Sequence, residues 1–151
     1  MNFPVYQLEK IAISPEFKHI TGINPVELYK TDSGWILALL NNEEEVKNLK
    51  PDFSLMRKSK FGDLIVTAES DDQKFDFCVR CFAPGLGIDE DPVTGSAQCA
   101  LGPFWRMKTG RHDFVVHQIS NRSGILKVSV KDERVEISGH AKTIFKAEMY
   151  V

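Results

Sequence analysis

Cysteine is scarce in this sequence, and the signals of secreted and membrane proteins are missing. The 151 residues include three cysteines, an odd number that does not predict the disulfide framework of a small secreted domain. No apolar run reaches the length of a membrane-spanning helix, and the N-terminus lacks the charged and then apolar pattern of a signal peptide. We therefore predict a cytoplasmic protein that does not bind membranes.

Charge of one sign is not in excess either. The 19 Lys and Arg residues nearly balance the 21 Asp and Glu residues, which gives a net charge of −2 at pH 7. Neither a basic stripe nor a polybasic run is present. We therefore expect no nucleic-acid partner.

Residue patterns that bind metals or nucleotides are also missing. Gly85-Leu86-Gly87 lacks the third glycine and the following helix of a dinucleotide-binding loop. Cys78 and Cys81 form a C-x-x-C pattern, but they lie in an alternating strand, where residues three apart point to opposite faces. The histidines show no ligand spacing with acids or thiols: His19, His112, His117 and His140. We infer neither a metal site nor a nucleotide from these residues.

The sequence does contain enough apolar residues for one packed domain. Hydrophobic residues make up 42% of the chain, and its ten Phe, two Trp and three Tyr favour a packed sheet. No linker, low-complexity tract or internal repeat is visible. We expect residues 1–151 to form a single α+β domain.

Local patterns predict short helices, many strands and one long loop. Ser14 opens a helix that Gly22 ends, Asn42 opens a second that Pro51 ends, and residues 52–58 form a further helical turn. The loop is predicted at residues 84–94. The predicted strands are residues 26–30, 35–40, 64–69, 75–82, 114–119, 125–130, 134–137 and 143–149.

A buried helix is predicted from about Ser96 to Met107. Apolar residues recur there at helical spacing and cover most of the cylinder, as expected for a helix at the centre of a domain. Pro103 lies inside this segment and is expected to kink the helix, because proline supplies no backbone N–H.

The turn before this helix is the strongest candidate site. Asp91, Thr94, Gly95 and Ser96 lie in front of the helix, whose first N–H groups have no internal partner and favour an anion. The alternative is that Asp91 or Thr94 simply caps the helix.

Two charged groups near the turn leave alternatives open. Asp89, Glu90 and Asp91 can be a solvated acidic loop, or Asp91 can be crowded so that it resists ionisation. The helix N-terminus opposes that effect, so the protonation of Asp91 stays undecided. Arg80 is predicted to form a surface ion pair.

Segments in a fixed order resemble one protein family. Residues 80–84, 87–97, 118–124 and 137–141, together with Ala100, Leu101 and Trp105, resemble the PhzF-like (phenazine biosynthesis-like) isomerases, a family related in fold to diaminopimelate epimerase. The resemblance implies a curved, mostly antiparallel sheet wrapped around the central helix. It also implies that this chain corresponds to the second, C-terminal domain of a two-domain protein.

The resemblance implies a cofactor-free, metal-free isomerase that moves a proton on a small carboxylic acid. In the family pattern Asp91 is an active-site carboxylate, and Gly95 and Ser96 bind the substrate carboxylate. We therefore assign Asp91 to catalysis and Thr94, Gly95 and Ser96 to substrate binding. Relatives often carry histidine where this chain has Gln98, which cannot titrate. The family's acid–base glutamate and a Gly-His pair belong to the first domain, and neither is found here.

Two functions follow from this incomplete match. The chain can be half of an isomerase, completed by the missing first domain as a separate chain or, in outline only, by a homodimer. It can instead be a non-catalytic small-anion-binding or scaffold domain, or the remnant of a truncated gene. Either way we expect a partly apolar face and self-association or a bound partner.

Overall fold

The computed structural model describes residues 1–149, which form one ten-stranded sheet and four α-helices. The helices are α1 (Pro15–Thr21), α2 (Glu43–Lys47), α3 (Phe53–Arg57) and α4 (Gln98–Thr109). The strands are β1 (Asn2–Pro4), β2 (Leu8–Ile11), β3 (Glu27–Thr31), β4 (Ile36–Leu39), β5 (Leu64–Glu69), β6 (Phe77–Ala83), β7 (Ile88–Asp91), β8 (Asp113–Gln118), β9 (Gly124–Lys131) and β10 (Arg134–Gly139). None of the helices in this part of the chain is long and apolar enough to cross a membrane.

The sheet is mostly antiparallel and strongly curled. Its order is β1-β10-β9-β8-β6-β5-β4-β3-β2, with β7 paired to β6, and only the β4–β5 and β6–β8 pairs are parallel. Strands β1 and β2 lie at opposite ends of this order, yet only residues 5–7 connect them. Because so short a segment spans at most about 14 Å, the two edges of the sheet must lie close together.

Helix α4 lies inside the curl, which confirms the predicted central helix with a start at Gln98 and an end at Thr109. Its apolar side chains pack into one core cluster with residues of β3 to β6 and β8 to β10. Gly102 permits close packing, because an added Cβ would lie 2.9 Å from Val130 Cγ2. The helix continues through Pro103, which has no N–H to donate to the carbonyl of Cys99 one turn earlier. The N–H of Tyr6 donates to that carbonyl instead, at 2.8 Å.

The outer face of the sheet carries a second core under the three short helices. Phe17 of α1, Val46 of α2 and Met56 of α3 are fully buried there. Cys78 belongs to this outer cluster and Cys81 to the inner one, so the two thiols point to opposite faces as predicted.

Two local predictions were wrong. The predicted loop at residues 84–94 contains a 3₁₀ turn at Pro84–Leu86 and the strand β7, because its acidic residues find pairing partners on β6. The strand predicted at residues 143–149 is absent from the described chain, where residues 140–149 have no regular structure. Ile144, Phe145 and Met149 remain exposed, since alternation alone makes no strand without an edge to pair with.

Candidate active site

Strand β7 places Asp91 directly before the turn that enters α4. Asp91 lies opposite Cys81 in the β6–β7 pair. The adjacent Glu90 receives two bonds from Arg80, from Nε at 2.7 Å and from Nη2 at 2.9 Å. Arg80 Nη1 also donates to three carbonyls at the end of α2, those of Val46, Lys47 and Leu49. The ion pair predicted for Arg80 therefore exists, but it is largely buried rather than on the surface, and it fixes β7 against α2.

Neither Asp91 nor Thr94 caps the helix. The Thr94 hydroxyl donates to Asp91 Oδ2 at 2.6 Å, and the buried Thr94 N–H donates to Gln118 Oε1 at 2.7 Å. The N-cap position is Ala97, which provides no side-chain bond. The capping alternative therefore fails, and Thr94 instead orients the carboxylate of Asp91.

The turn from Gly95 to Ala97 presents backbone donors. The carbonyl of Gly95 accepts a hydrogen bond from the N–H of Gln98, and the carbonyl of Ser96 accepts one from the N–H of Cys99, both at 3.0 Å. Within residues 1–149, the N–H groups of Gly95, Ser96 and Ala97 have no hydrogen-bond partner. The Ser96 side chain is exposed beside them. Unpaired donors at a helix start, together with a hydroxyl, suit a small carboxylate or phosphate.

Two side chains that sequence reasoning did not single out hold this turn from β8 and the segment after it. Gln118 is fully buried, and its Nε2 donates to the Asp91 carbonyl at 2.7 Å and to Thr94 Oγ1 at 3.1 Å. Ser120 Oγ donates to the Pro92 carbonyl at 2.7 Å. The available signal was a glutamine at an inward-facing position of an apolar strand, because a buried amide requires polar partners.

Glycine at position 124 brings β9 against the same turn. A Cβ there would fall 2.3 Å from Val93 Cγ2, so any other residue requires the Val93 side chain to shift. On the other side, the Met1 methyl group lies 3.4 Å from the point where a Cβ of Gly95 would be.

The thiols near the site are not thiolates at neutral pH. Burial raises the pKa of Cys81 to about 12, which the Thr94 hydroxyl opposes and the charges of Asp91 and Glu90 reinforce. Burial also raises the pKa of Cys99. Protonated, buried thiols are poor nucleophiles and bases, so the chemistry of this turn rests on oxygen groups.

Gln98 is buried at the first position of α4. Its Nε2 lies 3.5 Å from the Thr94 carbonyl, and its Oε1 has no hydrogen-bond partner among the described residues. The site itself is open. Asp91, Thr94, Gly95 and Ser96 line neither of two cavities of about 690 and 510 Å³, although Met1, which lies against Gly95, lines the larger of the two.

Comparison with known proteins identifies the family of this chain. Residues 2–147 match the family described as phenazine biosynthesis-like protein. The chain is 35% identical to an uncharacterized isomerase of Halalkalibacterium halodurans over 99% of its own length and 56% of that protein. It is 38% identical to an uncharacterized isomerase of Pseudomonas aeruginosa over 93% of its own length and 53% of that protein.

A solved structure gives the same result. The crystal structure of a PhzF-family phenazine biosynthesis protein from Enterococcus faecalis superposes with a TM-score of 0.89 and 37% identity, covering all of this chain and 57% of that one. The chain thus spans little more than half the length of these relatives. On the match over nearly its whole length, the chain belongs to the PhzF-like, phenazine biosynthesis-like family of isomerases.

Proposed function

We propose that this chain provides one half of the active site of a cofactor-free isomerase that moves a proton on a small carboxylic acid. One observation carries the proposal: three unpaired backbone N–H groups lie next to a carboxylate whose orientation is fixed by hydrogen bonds. The backbone donors are suited to the substrate's carboxylate, and Asp91 is suited to the reacting part of the same molecule.

The proposed roles follow from the contacts. Gly95 and Ser96 hold the substrate carboxylate through their N–H groups and the Ser96 hydroxyl. Asp91 polarises or positions the substrate with Oδ1, which has no hydrogen bond within residues 1–149. Thr94 acts indirectly, because its hydroxyl is already bonded to Asp91 and its side chain is buried.

A second protein surface is required to complete the site. The turn lies on an open face, and proton transfer needs a site closed to water and an acid–base partner. Met1 and Val93 expose 72% and 42% of their surfaces there. The Met1 methyl group lies against Gly95 and Val93 lies against Gly124, and exposed apolar side chains of this kind suit a protein partner. We propose that the surface that completes the site is the first domain of the family.

The native assembly tests this proposal. Purification of the tagged protein from its source cells, followed by native mass spectrometry, should give a stoichiometric partner that carries the first-domain portion of the family. That complex should incorporate solvent deuterium into a small unsaturated carboxylic acid. A homodimer or a lone chain without exchange activity would contradict the proposal.

The open site also favours a second candidate, a non-catalytic domain that binds a small anion. The isolated chain would then bind acetate or inorganic phosphate at the turn, seen as shifts of the Gly95 and Ser96 amide signals, while no assembly catalyses exchange. Ser96→Ala and Asp91→Asn separate the two functions. Anion binding needs the turn and should be weakened by Ser96→Ala alone, whereas exchange needs both the turn and Asp91 and should be weakened by either variant.

A further inference from the structure

Gln118 lies beneath the turn and uses both ends of its amide group. Its Oε1 accepts from the Thr94 N–H at 2.7 Å, while its Nε2 donates to the Asp91 carbonyl at 2.7 Å and to Thr94 Oγ1 at 3.1 Å. The partners fix the orientation of the amide, because the Thr94 N–H can only donate and the Asp91 carbonyl can only accept.

This orientation determines where the Thr94 proton points. Since Gln118 Nε2 can only donate, Thr94 Oγ1 accepts from it, and the single hydroxyl hydrogen is available for Asp91 Oδ2 at 2.6 Å. Asp91 then serves as an acceptor at Oδ2 and leaves Oδ1 open. A chain of two hydrogen bonds therefore runs from a buried amide on β8 to the carboxylate at the site.

We propose that Gln118 is a positioning residue that acts through Thr94: it fixes the Thr94 hydroxyl as a donor to Asp91 and so directs Asp91 Oδ1 to the substrate. The catalytic meaning of this arrangement rests on the proposed function of Asp91. Ser120 supports the same loop through the Pro92 carbonyl but does not belong to the chain that reaches the carboxylate.

The test uses the full chain and compares Gln118→Met with Thr94→Val and with the double variant. Methionine has a side chain of similar length but lacks the two N–H donors of the Gln118 amide. The readout is the side-chain carboxyl ¹³C signal of Asp91 in NMR spectra, which needs no substrate. Gln118→Met and Thr94→Val should each shift this signal in the same direction, and the double variant should shift it no further than Thr94→Val alone. Thr94→Ser, which keeps the hydroxyl, should leave the Asp91 signal at its wild-type position.

Gln73→Met is the matched control, because Gln73 is exposed. An Asp91 signal in Gln118→Met equal to that of the control, or additive shifts in the double variant, would overturn the proposal. If Gln118→Met does not fold, Gln118→Glu replaces it: a carboxyl group keeps the acceptor for the Thr94 N–H but supplies at most one of the two donors. In that variant the Thr94 amide should stay protected from hydrogen exchange while the Asp91 signal moves.

Activity provides the second readout. In the partner-completed protein, Gln118→Met should lower the deuterium-exchange rate at least tenfold, and the decrease should fall mainly on kcat rather than KM. Absence of exchange in the wild-type complex would refute the proposed function and leave the NMR result standing. Wild-type exchange with an unmoved Asp91 signal would refute the role of Gln118 alone.

Discussion

Single side chains around the turn differ in whether their polar atoms are already bonded within the protein. Thr94 and Gln118 use their hydrogen-bonding groups to hold the loop, while Ser96 and one oxygen of Asp91 remain available. A group that is held supplies orientation, and a group that is free supplies contact with a ligand. Substitutions at the two kinds of position should therefore affect stability and activity in different proportions.

Asp91→Asn should separate chemistry from folding. The amide oxygen of asparagine can still accept from the Thr94 hydroxyl, so the unfolding midpoint should change little. Deuterium exchange by the partner-completed protein should fall by at least about 100-fold, because a neutral amide lacks the charge with which Asp91 is proposed to polarise or position the substrate. Asp89→Asn is the control, since Asp89 is exposed and pairs with Arg57. Equal exchange rates in Asp91→Asn and wild type would contradict the role of Asp91.

Asp63→Asn should stabilise the protein at neutral pH. Asp63 Oδ1 is buried with no partner in the described chain, and burial raises the pKa of Asp63 above its ordinary value of 3.8. Ionisation of Asp63 therefore costs native stability as the pH rises above 3.8 and through the raised pKa of the folded state. We expect a gain of about 1 kcal/mol from urea unfolding at pH 7, which disappears below pH 3.8. A gain that is the same at both pH values would exclude charge burial as its cause.

At the level of secondary structure, α4 is held to the curled sheet at both its middle and its end. Gly102 brings the middle against β9, and Lys108 near the end pairs with Glu27 of β3 at 2.6 Å. The position of the turn before α4 depends on both contacts, since helices move as rigid units.

Gly102→Ala should destabilise the protein even though alanine is the better helix former. The added methyl would meet Val130 Cγ2 at 2.9 Å and Val128 Cγ1 at 3.2 Å. Overpacking costs about 1–3 kcal/mol, which exceeds the gain of about 1 kcal/mol in helix propensity. The double variant with Val130→Ala should recover part of the loss in thermal unfolding. A more stable single variant would show that the helix can move away from β9.

Glu27→Gln should weaken the attachment of α4 to β3 and reduce acid sensitivity. Bonds from Lys108, Tyr29 and Lys10 lower the pKa of Glu27 from 4.5 to about 2. The stabilisation is therefore complete above pH 4.5 and is lost as the pH falls toward 2. We expect Glu27→Gln to lose about 1 kcal/mol at pH 7 and little at pH 2. Glu136→Gln, which breaks the exposed pair with Lys131, should have almost no effect at either pH.

The sequence predicted helices and strands best where a single local pattern determines the structure of the segment. Ser14 caps α1 and Gly22 ends it in a left-handed conformation, as expected from those residue types. The central helix follows from apolar spacing alone. Strand β7 was missed because Asp89, Glu90 and Asp91 are typical of a solvated loop, and only a pairing partner on β6 makes them a strand. Pairing with a neighbouring strand is not visible in the composition of the segment itself.

For the whole molecule, the residues that complete the site come from distant parts of the chain. Gln118 and Ser120 follow the residues they hold by 24 to 28 positions, and no local pattern connects them. Resemblance to the family marked their segment but assigned them no role. The candidate residues Asp91, Thr94, Gly95 and Ser96 are adjacent in the sequence and could be named from it, whereas the hydrogen bonds that orient them required the fold.

Removal of residues 141–151 should leave the domain folded and equally stable. Residues 141–149 are exposed and form no helix or strand, so their loss removes little buried surface. The shortened chain should match the full chain in urea midpoint to within about 0.5 kcal/mol. A clear loss of stability would mean that this segment contributes packing to the domain.

The pairing of β1 with β10 joins residues 2–4 to residues 134–136, and the N-terminal ammonium of Met1 bonds the Ile137 carbonyl at 2.8 Å. During synthesis β1 therefore has no neighbour in the sheet until β10, the last of the ten strands, has been made. Strands β2 to β6 can pair earlier, but the edge next to Gly95 forms only at the end. The turn before α4 is thus among the last parts of this domain to gain all its neighbours, and a ligand held there would report that β10 has joined the sheet.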